Sequence, residues 1–286
     1  MEIRKVGVIG CGAMGSGIVQ VCAQSGYDVV VLEMSEQLLK KGLSSIESFL
    51  NKALEKGKMA PDEKNAILKK IQGTLEFKEF STCDLIVEAV SENMEVKQKV
   101  FKELDRICSH HAILGTNTSS LSIIDIASAT TRPDKVIGLH FMNPVPLMKL
   151  LEIVRSVATS EEVLEICREF GKSLGKTVIL AKDSPGFIVN YLQYPFRLNA
   201  IRMLESGMAT REDIDAAATL GLGHPMGPLA LQDLVGLDVT YAGALSVYEE
   251  TGDPRFLPPV LMKKMIAAGW LGRKTGKGFY TYKKGE

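Results

Sequence analysis

The first thirty-three residues constrain the fold more than any other stretch, because they predict a strand, a glycine turn, a helix and a second strand. A short β-branched run over 6–9 ends at Gly10, and Gly12 and Gly15 follow it. The segment 18–23 then carries apolar residues at helical spacing. In this setting Gly10 permits a tight turn, Gly12 permits close backbone approach to a pyrophosphate, and Gly15 permits close packing of helix against strand. These thirty-three residues therefore predict a dinucleotide-binding turn.

Glu33 ends the second predicted strand, where an acidic side chain can accept hydrogen bonds from an adenosine ribose. A carboxylate there also repels a 2′-phosphate, so the sequence favours NAD over NADP. The alternative is a glycine turn that serves only packing. That interpretation explains Gly15 but gives no reason for Gly10, Gly12 and Glu33.

Composition narrows the classes of protein to which the chain could belong. With 286 residues, 45% hydrophobic and 24% charged, it is typical of a soluble globular protein of two domains. A formal net charge of zero argues against an electrostatic nucleic-acid partner. We expect no membrane span and no signal peptide, hence a cytoplasmic protein. The five cysteines lack zinc-ligand spacing, so we expect buried, reduced thiols and no metal site.

Predicted strands and helices alternate as far as residue 180, which indicates an α/β domain with a doubly wound, largely parallel sheet. One predicted helix runs from Pro61 to about Ile71, and one predicted strand covers 148–154. After Ser184 strand-like runs disappear and Gly- and Pro-separated helices follow. We therefore expect two domains, 1–184 and 185–286, the second all-α.

Hydride transfer from an alcohol requires a group that takes the hydroxyl proton, and histidine is one usual choice. His140 ends an apolar strand and meets a stiff turn with two prolines, while Glu152 lies among apolar residues and needs a partner. If the turn folds back, Glu152 can fix the tautomer of His140 and raise its basicity. A strand-end histidine and an edge glutamate that both face water would look the same in the sequence.

Two further features admit a functional and a structural interpretation. A Tyr-x-x-x-Lys spacing at Tyr280 and Lys284 resembles a proton-transfer pair, but its place in the last seven residues favours a frayed tail. The segment 52–70 is rich in lysine, including Lys56. These lysines form either a solvated helical face or a contact surface for a polyanionic ligand.

Five motifs, taken in order, resemble the L-3-hydroxyacyl-CoA dehydrogenases, and most of all the bacterial 3-hydroxybutyryl-CoA type. The motifs are Gly10-x-Gly12-x-Met14-Gly15-x-Gly17-Ile18, Asn117-Thr-Ser-Ser-Leu121, His140-Phe-x-Asn143-Pro-Val-Pro146 with Glu152, Asp183-x-Pro-Gly-Phe-Ile-Val-Asn190, and Pro225-Met-Gly-Pro228 with Asp233-x-x-Gly236-Leu-Asp238.

The resemblance implies an NAD-binding Rossmann domain followed by a helical substrate and dimerisation domain. It implies interconversion of an L-3-hydroxyacyl-CoA and its 3-ketoacyl-CoA, in fatty acid β-oxidation or butyrate metabolism, by a homodimer. By this likeness His140 is the general base, Glu152 orients it, Ser119 and Asn190 hold the substrate, and Lys56 contacts coenzyme A. The implied cofactor contacts are Gly10, Gly12, Ala13, Met14, Gly15, Glu33, Ala89, Glu92, Lys97 and Asn143.

Two other functions are compatible with the same frame. One is a dehydrogenase of a free hydroxy acid or sugar acid, because relatives of this family act on such substrates. The other is a non-catalytic, NAD-binding protein of the lens-crystallin kind. The presence of Ser119, His140, Glu152 and Asn190 together argues against the second, because packing alone does not require all four.

Overall fold

A computed structural model describes residues 1–283, which divide into two compact units. We call the first, Met1–Ser184, the sheet unit, and the second, which begins at Pro185, the helical unit. The sheet unit has eight strands among its residues. They are β1 (Lys5–Ile9), β2 (Asp28–Leu32), β3 (Ile71–Thr74), β4 (Leu85–Glu88), β5 (Ile113–Thr116), β6 (Val136–Phe141), β7 (Leu150–Arg155) and β8 (Thr177–Lys182).

These strands form one sheet in the order β3-β2-β1-β4-β5-β6-β7-β8. The strands from β3 across to β6 are parallel, β7 is antiparallel to β6, and β8 is parallel to β7. The carboxyl ends of the parallel strands therefore meet at one edge, which is where doubly wound sheets bind their ligands.

Six α-helices connect the strands of the sheet unit. They are α1 (Ala13–Gln24), α2 (Glu36–Glu55), α3 (Pro61–Lys69), α4 (Met94–Ile107), α5 (Ile123–Ala127) and α6 (Glu161–Ser173), with short 3₁₀ turns at Phe77–Thr82 and Pro133–Lys135. The central strands β1 and β4 consist almost entirely of apolar residues, because both faces of the sheet are buried there. Helix α4 begins where the Asn93 side chain accepts the backbone N–H of Val96.

The helical unit has five α-helices within its described residues. They are α7 (Val189–Glu205), α8 (Arg211–Ala216, continued by a π turn at Ala217–Gly221), α9 (Pro228–Val235), α10 (Leu237–Thr251) and α11 (Val260–Ala267), with 3₁₀ turns at Pro254–Phe256 and Arg273–Thr275. Its own apolar core includes Leu198, Leu237 and Phe256. The predicted fold class, a doubly wound sheet followed by a helical region, is confirmed.

The prediction for the end of the helix that begins at Pro61 is wrong. The helix expected to reach Ile71 ends at Lys69, and Ile71 begins the edge strand β3, which pairs with β2. The strand is half polar, so its sequence gives no alternation; pairing with Val29–Leu32 decides its structure.

The predicted frayed tail is also wrong for the residues up to 283, because Asp233 holds it. The Asp233 carboxylate accepts the backbone N–H groups of Phe279 and Tyr280 at 2.9 and 2.8 Å, and the Tyr282 hydroxyl at 2.9 Å. The Tyr280 hydroxyl donates to Asp215. Lys284, the other member of the predicted Tyr–Lys spacing, lies outside the described residues.

All five cysteines are buried, free thiols, as predicted. Within residues 1–283, every helix is too short or too polar to cross a bilayer.

Candidate active site

The glycine turn between β1 and α1 leaves the start of the helix open. Gly10 has a φ of 92°, and a Cβ there would lie 2.7 Å from the Ala89 carbonyl oxygen. A Cβ at Gly15 would lie 1.9 Å from the Gly10 carbonyl oxygen. Helix α1 has no capping side chain and no acidic residue in its first turn, and Gly12 has open space around its Cα. This exposed, positive helix end fits the pyrophosphate of a dinucleotide.

Glu33 follows β2 at the same edge. One of its carboxylate oxygens, Oε1, accepts the Cys11 backbone N–H at 2.6 Å. The other, Oε2, accepts the Met34 backbone N–H at 3.1 Å. These bonds hold the carboxylate beside the glycine turn, which is the position that a ribose-binding acid requires.

A group of buried charges lies where β4 and β5 end. Glu88 is fully buried, and its carboxylate accepts the Lys97 ammonium at 2.8 and 3.1 Å and the Thr116 hydroxyl at 2.7 Å. The same ammonium lies 3.3 Å from Glu92 Oε2. Lys97, which is 1% exposed, therefore joins the carboxylate at the end of β4 to the carboxylate of the following loop.

Glu92 fixes the loop that carries Ser119. Its Oε1 accepts the Thr118 hydroxyl at 2.6 Å and the Ser119 backbone N–H at 2.8 Å, and the Ser119 hydroxyl lies 3.2 Å away. Burial alone raises the pKa of Glu92. Lys97 and the bonds from Thr118 and Ser119 outweigh that effect, and the pKa lies below its usual value. The carboxylate is therefore ionised at neutral pH and holds the loop by charge-assisted hydrogen bonds.

His140 and Glu152 meet across β6 and β7. The antiparallel register places them directly opposite each other, so both side chains lie on one face of the sheet. His140 Nδ1 lies 2.8 Å from Glu152 Oε2. Their side chains are 8% and 0% exposed. An Nδ1–H that donates to the carboxylate leaves the basic lone pair of a neutral imidazole on Nε2.

The strand ends around this pair are held by polar contacts. Asn117, directly after β5, accepts the Phe141 backbone N–H at 2.9 Å through its Oδ1, which ties the end of β5 to the end of β6. After Phe141 the chain turns through Asn143 and a cis peptide bond to Pro144. The buried Lys176 ammonium donates to the carbonyls of Val145 and Met148 at 2.6 and 2.8 Å, which holds the far side of this turn.

The other predicted site residues are distributed over both units. Ala89 lies between β4 and the loop to α4, and its N–H donates to Ile9. Ala13 and Met14 begin α1. Asn190 is buried in the first turn of α7 in the helical unit, and its Oδ1 accepts Gln193 Nε2 at 2.6 Å. Lys56 is an exposed residue that caps α2.

Sequence reasoning missed Glu88 and Lys176 as supports of this region. Glu88 could have been identified from the sequence, because an acidic residue in an apolar strand requires a buried partner. Lys176 could not have been identified in this way, because a lysine between a helix and a strand usually faces water.

Comparison with known proteins matches both units to one family. The model described as "3-hydroxyacyl-CoA dehydrogenase, NAD binding domain" matches residues 5–184. The model described as "3-hydroxyacyl-CoA dehydrogenase, C-terminal domain" matches residues 186–282.

Individual relatives match along their whole length. The 3-hydroxybutyryl-CoA dehydrogenase of Mycobacterium tuberculosis is 45% identical over 98% of this chain and 99% of that protein. The 3-hydroxybutyryl-CoA dehydrogenase of Clostridioides difficile is 45% identical over 98% of this chain and 100% of that protein. Among solved structures, the (S)-3-hydroxybutyryl-CoA dehydrogenase of Ralstonia eutropha superposes with a TM-score of 0.96 at 41% identity, covering 99% of this chain and 100% of that one.

Proposed function

This chain belongs to the 3-hydroxyacyl-CoA dehydrogenase family, and we propose that it interconverts L-3-hydroxybutyryl-CoA and acetoacetyl-CoA. The predicted family, the enzyme class and NAD as cofactor are confirmed by the two family models and the relatives. The substrate, the mechanism and the residue roles below are our proposal. We place the reaction in fatty acid β-oxidation or butyrate metabolism.

The contact between His140 and Glu152 is the observation that supports the mechanism most strongly. In the oxidation direction, His140 Nε2 takes the proton of the 3-hydroxyl group, and in reduction it returns that proton. Glu152 holds the ring through Nδ1, and its negative charge lies beside the imidazolium that forms when Nε2 takes the proton.

NAD supplies the hydride acceptor for oxidation when it is bound. The open turn at Gly10, Gly12 and Gly15 and the start of α1 bind its pyrophosphate, and Glu33 binds the adenosine ribose. We assign further contacts with the cofactor to Ala13, Met14, Ala89, Glu92, Lys97 and Asn143.

Ser119 and Asn190 hold the substrate near the reacting carbon. The support for Ser119 is its place at the carboxyl edge of the sheet, on a loop that Glu92 fixes. The support for Asn190 is its buried place in the first turn of α7, where Gln193 holds its Oδ1.

Oxidation of NADH in the presence of acetoacetyl-CoA tests the proposal. General acid–base catalysis contributes about 10²- to 10⁴-fold, so we expect His140→Gln to lower kcat by roughly that factor. Glu152→Gln should also lose much of the activity. His110→Gln changes an exposed histidine of the same unit and should retain wild-type turnover. Wild-type turnover in His140→Gln would rule out the proposed base.

Coenzyme A is polyanionic, so we propose it as the ligand of the lysine-rich segment 52–70. Lys64 and Lys70 pair with Glu47 and Asp28, whereas Lys56 lies exposed at the end of α2. We expect acetoacetyl-CoA to react orders of magnitude faster than free acetoacetate, and Lys56→Gln to raise the KM for the thioester. Equal rates for the thioester and the acid would favour a dehydrogenase of free acids.

We propose a homodimer formed through the helical unit. Its support is a set of large apolar side chains that are exposed on this unit in a single chain, including Leu220, Leu222, Leu234 and Val239. Sedimentation equilibrium tests this assignment, and a monomer at micromolar concentration would contradict it.

A further inference from the structure

The helical unit buries one arginine without a carboxylate partner. Arg197 lies on α7 and is 2% exposed. Its Nη1 donates to Gln193 Oε1 at 3.0 Å, and its Nη2 donates to Gln232 Oε1 and, at 2.7 Å, to the Thr240 hydroxyl. All three acceptors are neutral. Among the ion pairs of residues 1–283 none includes Arg197, so its positive charge is buried without a counter-charge.

Two N–H donors in the same cluster have no acceptor. Arg197 Nε and Gln232 Nε2 are buried and lack a hydrogen-bond partner in the described part of the chain. Burial lowers the pKa of Arg197 to about 10, with the nearby Tyr194 opposing the effect, so the guanidinium remains charged at neutral pH. A buried cation with unused donors is costly, and apolar residues of similar volume would cost less. The cluster is therefore suited to an anionic acceptor that the chain itself does not supply.

A hydrogen-bond chain connects this cluster to Asn190. Gln193 donates to Asn190 through Nε2 and accepts from Arg197 through Oε1, so one amide group separates Asn190 from the guanidinium. The three residues follow one face of α7, and long side chains of a helix lean towards its N-terminus, here towards Asn190. Gln193 is only half-buried, so it is the member of the chain that a ligand group can displace.

We propose that Arg197 binds the terminal carboxylate of a dicarboxylic acyl-CoA, so that the enzyme accepts 3-hydroxyacyl-CoA substrates whose short acyl chain ends in a negative charge. The proposal rests on the proposed function, because it takes Asn190 as a substrate contact. A carboxylate matches the planar fork of arginine and replaces the Gln193 amide oxygen as an acceptor. A chain of the same length that ends in a methyl group offers these donors no acceptor, so it reacts less efficiently than the carboxylate.

The test compares two substrates that differ only at the end of the acyl chain. 3-Oxoadipyl-CoA and 3-oxohexanoyl-CoA share a six-carbon chain that ends in a carboxylate or a methyl group. We expect wild-type kcat/KM to favour 3-oxoadipyl-CoA by about 10- to 100-fold, the range of a hydrogen bond to a charged group. Arg197→Met should remove this preference, and Arg197→Lys, which keeps the charge without the fork, should retain part of it. Arg202→Met is the matched control, because Arg202 on the same helix donates to the Leu257 carbonyl.

The outcomes separate this proposal from the proposed function. No preference for 3-oxoadipyl-CoA in the wild type overturns the carboxylate site, whatever the variants do. An equal effect of Arg197→Met on both substrates overturns it as well. A change of oligomeric state in Arg197→Met with an unchanged substrate ratio would instead assign Arg197 to a contact between copies. Failure of the proposed function would show as absence of turnover with acetoacetyl-CoA.

Discussion

The two units satisfy their buried charges in different ways. In the sheet unit, the two most deeply buried Lys or Arg side chains meet carboxylates: Lys97 lies between Glu88 and Glu92, and the Arg132 guanidinium lies 2.7 Å from Asp105. The less deeply buried Lys176 of this unit donates to backbone carbonyls instead. In the helical unit, the buried Arg197 has neutral acceptors, and the buried Asp233 accepts N–H and O–H donors from 279–282.

The difference follows from how each unit brings residues together. A parallel sheet collects the ends of several strands at one edge, where Lys97 of α4 meets Glu88 at the end of β4 and Glu92 of the following loop. Helices that pack on one another offer neutral side-chain amides and hydroxyls instead, as Gln232 and Thr240 do. Removing one charge should therefore leave an uncompensated partner in the sheet unit but not around Arg197.

The largest effect is expected from Lys97→Met. This substitution leaves the fully buried Glu88 without its cation, and loss of one partner from a buried pair costs about 3–5 kcal/mol. Urea unfolding measures the free energy of unfolding. The double variant Lys97→Met with Glu88→Gln should cost less than Lys97→Met alone, because the fully buried Glu88 side chain is then neutral, while Glu92 loses its cation in both variants. A loss below about 1 kcal/mol in the single variant would mean that the pair contributes little.

An intermediate effect is expected from pH, with opposite sign in the two units. Burial raises the pKa of Asp233 above its usual 3.8, against the opposing bonds from Tyr280 and Phe279. The native state therefore binds this proton more tightly than the unfolded state, and its contribution to stability falls as pH rises through that window. Glu92 has a lowered pKa, so its contribution is present at neutral pH and is lost as pH falls through the folded-state pKa.

Two neutral variants isolate these contributions. As pH rises from acidic values below 3.8 to neutral, the free energy of unfolding of Asp233→Asn should improve relative to wild type, while that of Glu92→Gln should become worse below 4.5. Urea titrations at a series of pH values measure both differences. The same sign of change in the two variants would contradict the contrast between the units.

The smallest effect is expected from Arg197→Met, which makes the same kind of change as Lys97→Met in the other unit. It removes a buried charge that has no counter-charge, and this gain offsets the loss of bonds to Gln193, Gln232 and Thr240. We expect the free energy of unfolding to change by no more than about 1 kcal/mol in the same urea assay. A loss as large as that of Lys97→Met would show that neutral dipoles stabilise a buried cation as well as carboxylates do.

Much of the fold was predictable because its signals are local. The glycines at 10, 12 and 15, the acid at 33 and the change of pattern after 184 each reflect a backbone or burial requirement within a few residues. Strand β3 was not predictable, because a half-polar edge strand takes its structure from pairing with β2. Nor was the ordered segment 279–282, because its hydrogen bonds come from Asp233, more than forty residues away.

The order of strand, turn and helix, the dinucleotide turn and the two residue types suited to proton transfer can all be predicted from the amino-acid sequence. The fold is needed to show that His140 and Glu152 face each other, because the antiparallel register of β6 and β7 fixes which side chains are opposite. It also decided that Lys97 lies between two carboxylates and that Arg197 meets none. Burial and pairing of a charge depend on how strands and helices pack, even for Lys97 and Glu88, which are nine residues apart, whereas turns and helix periodicity depend on neighbours along the chain.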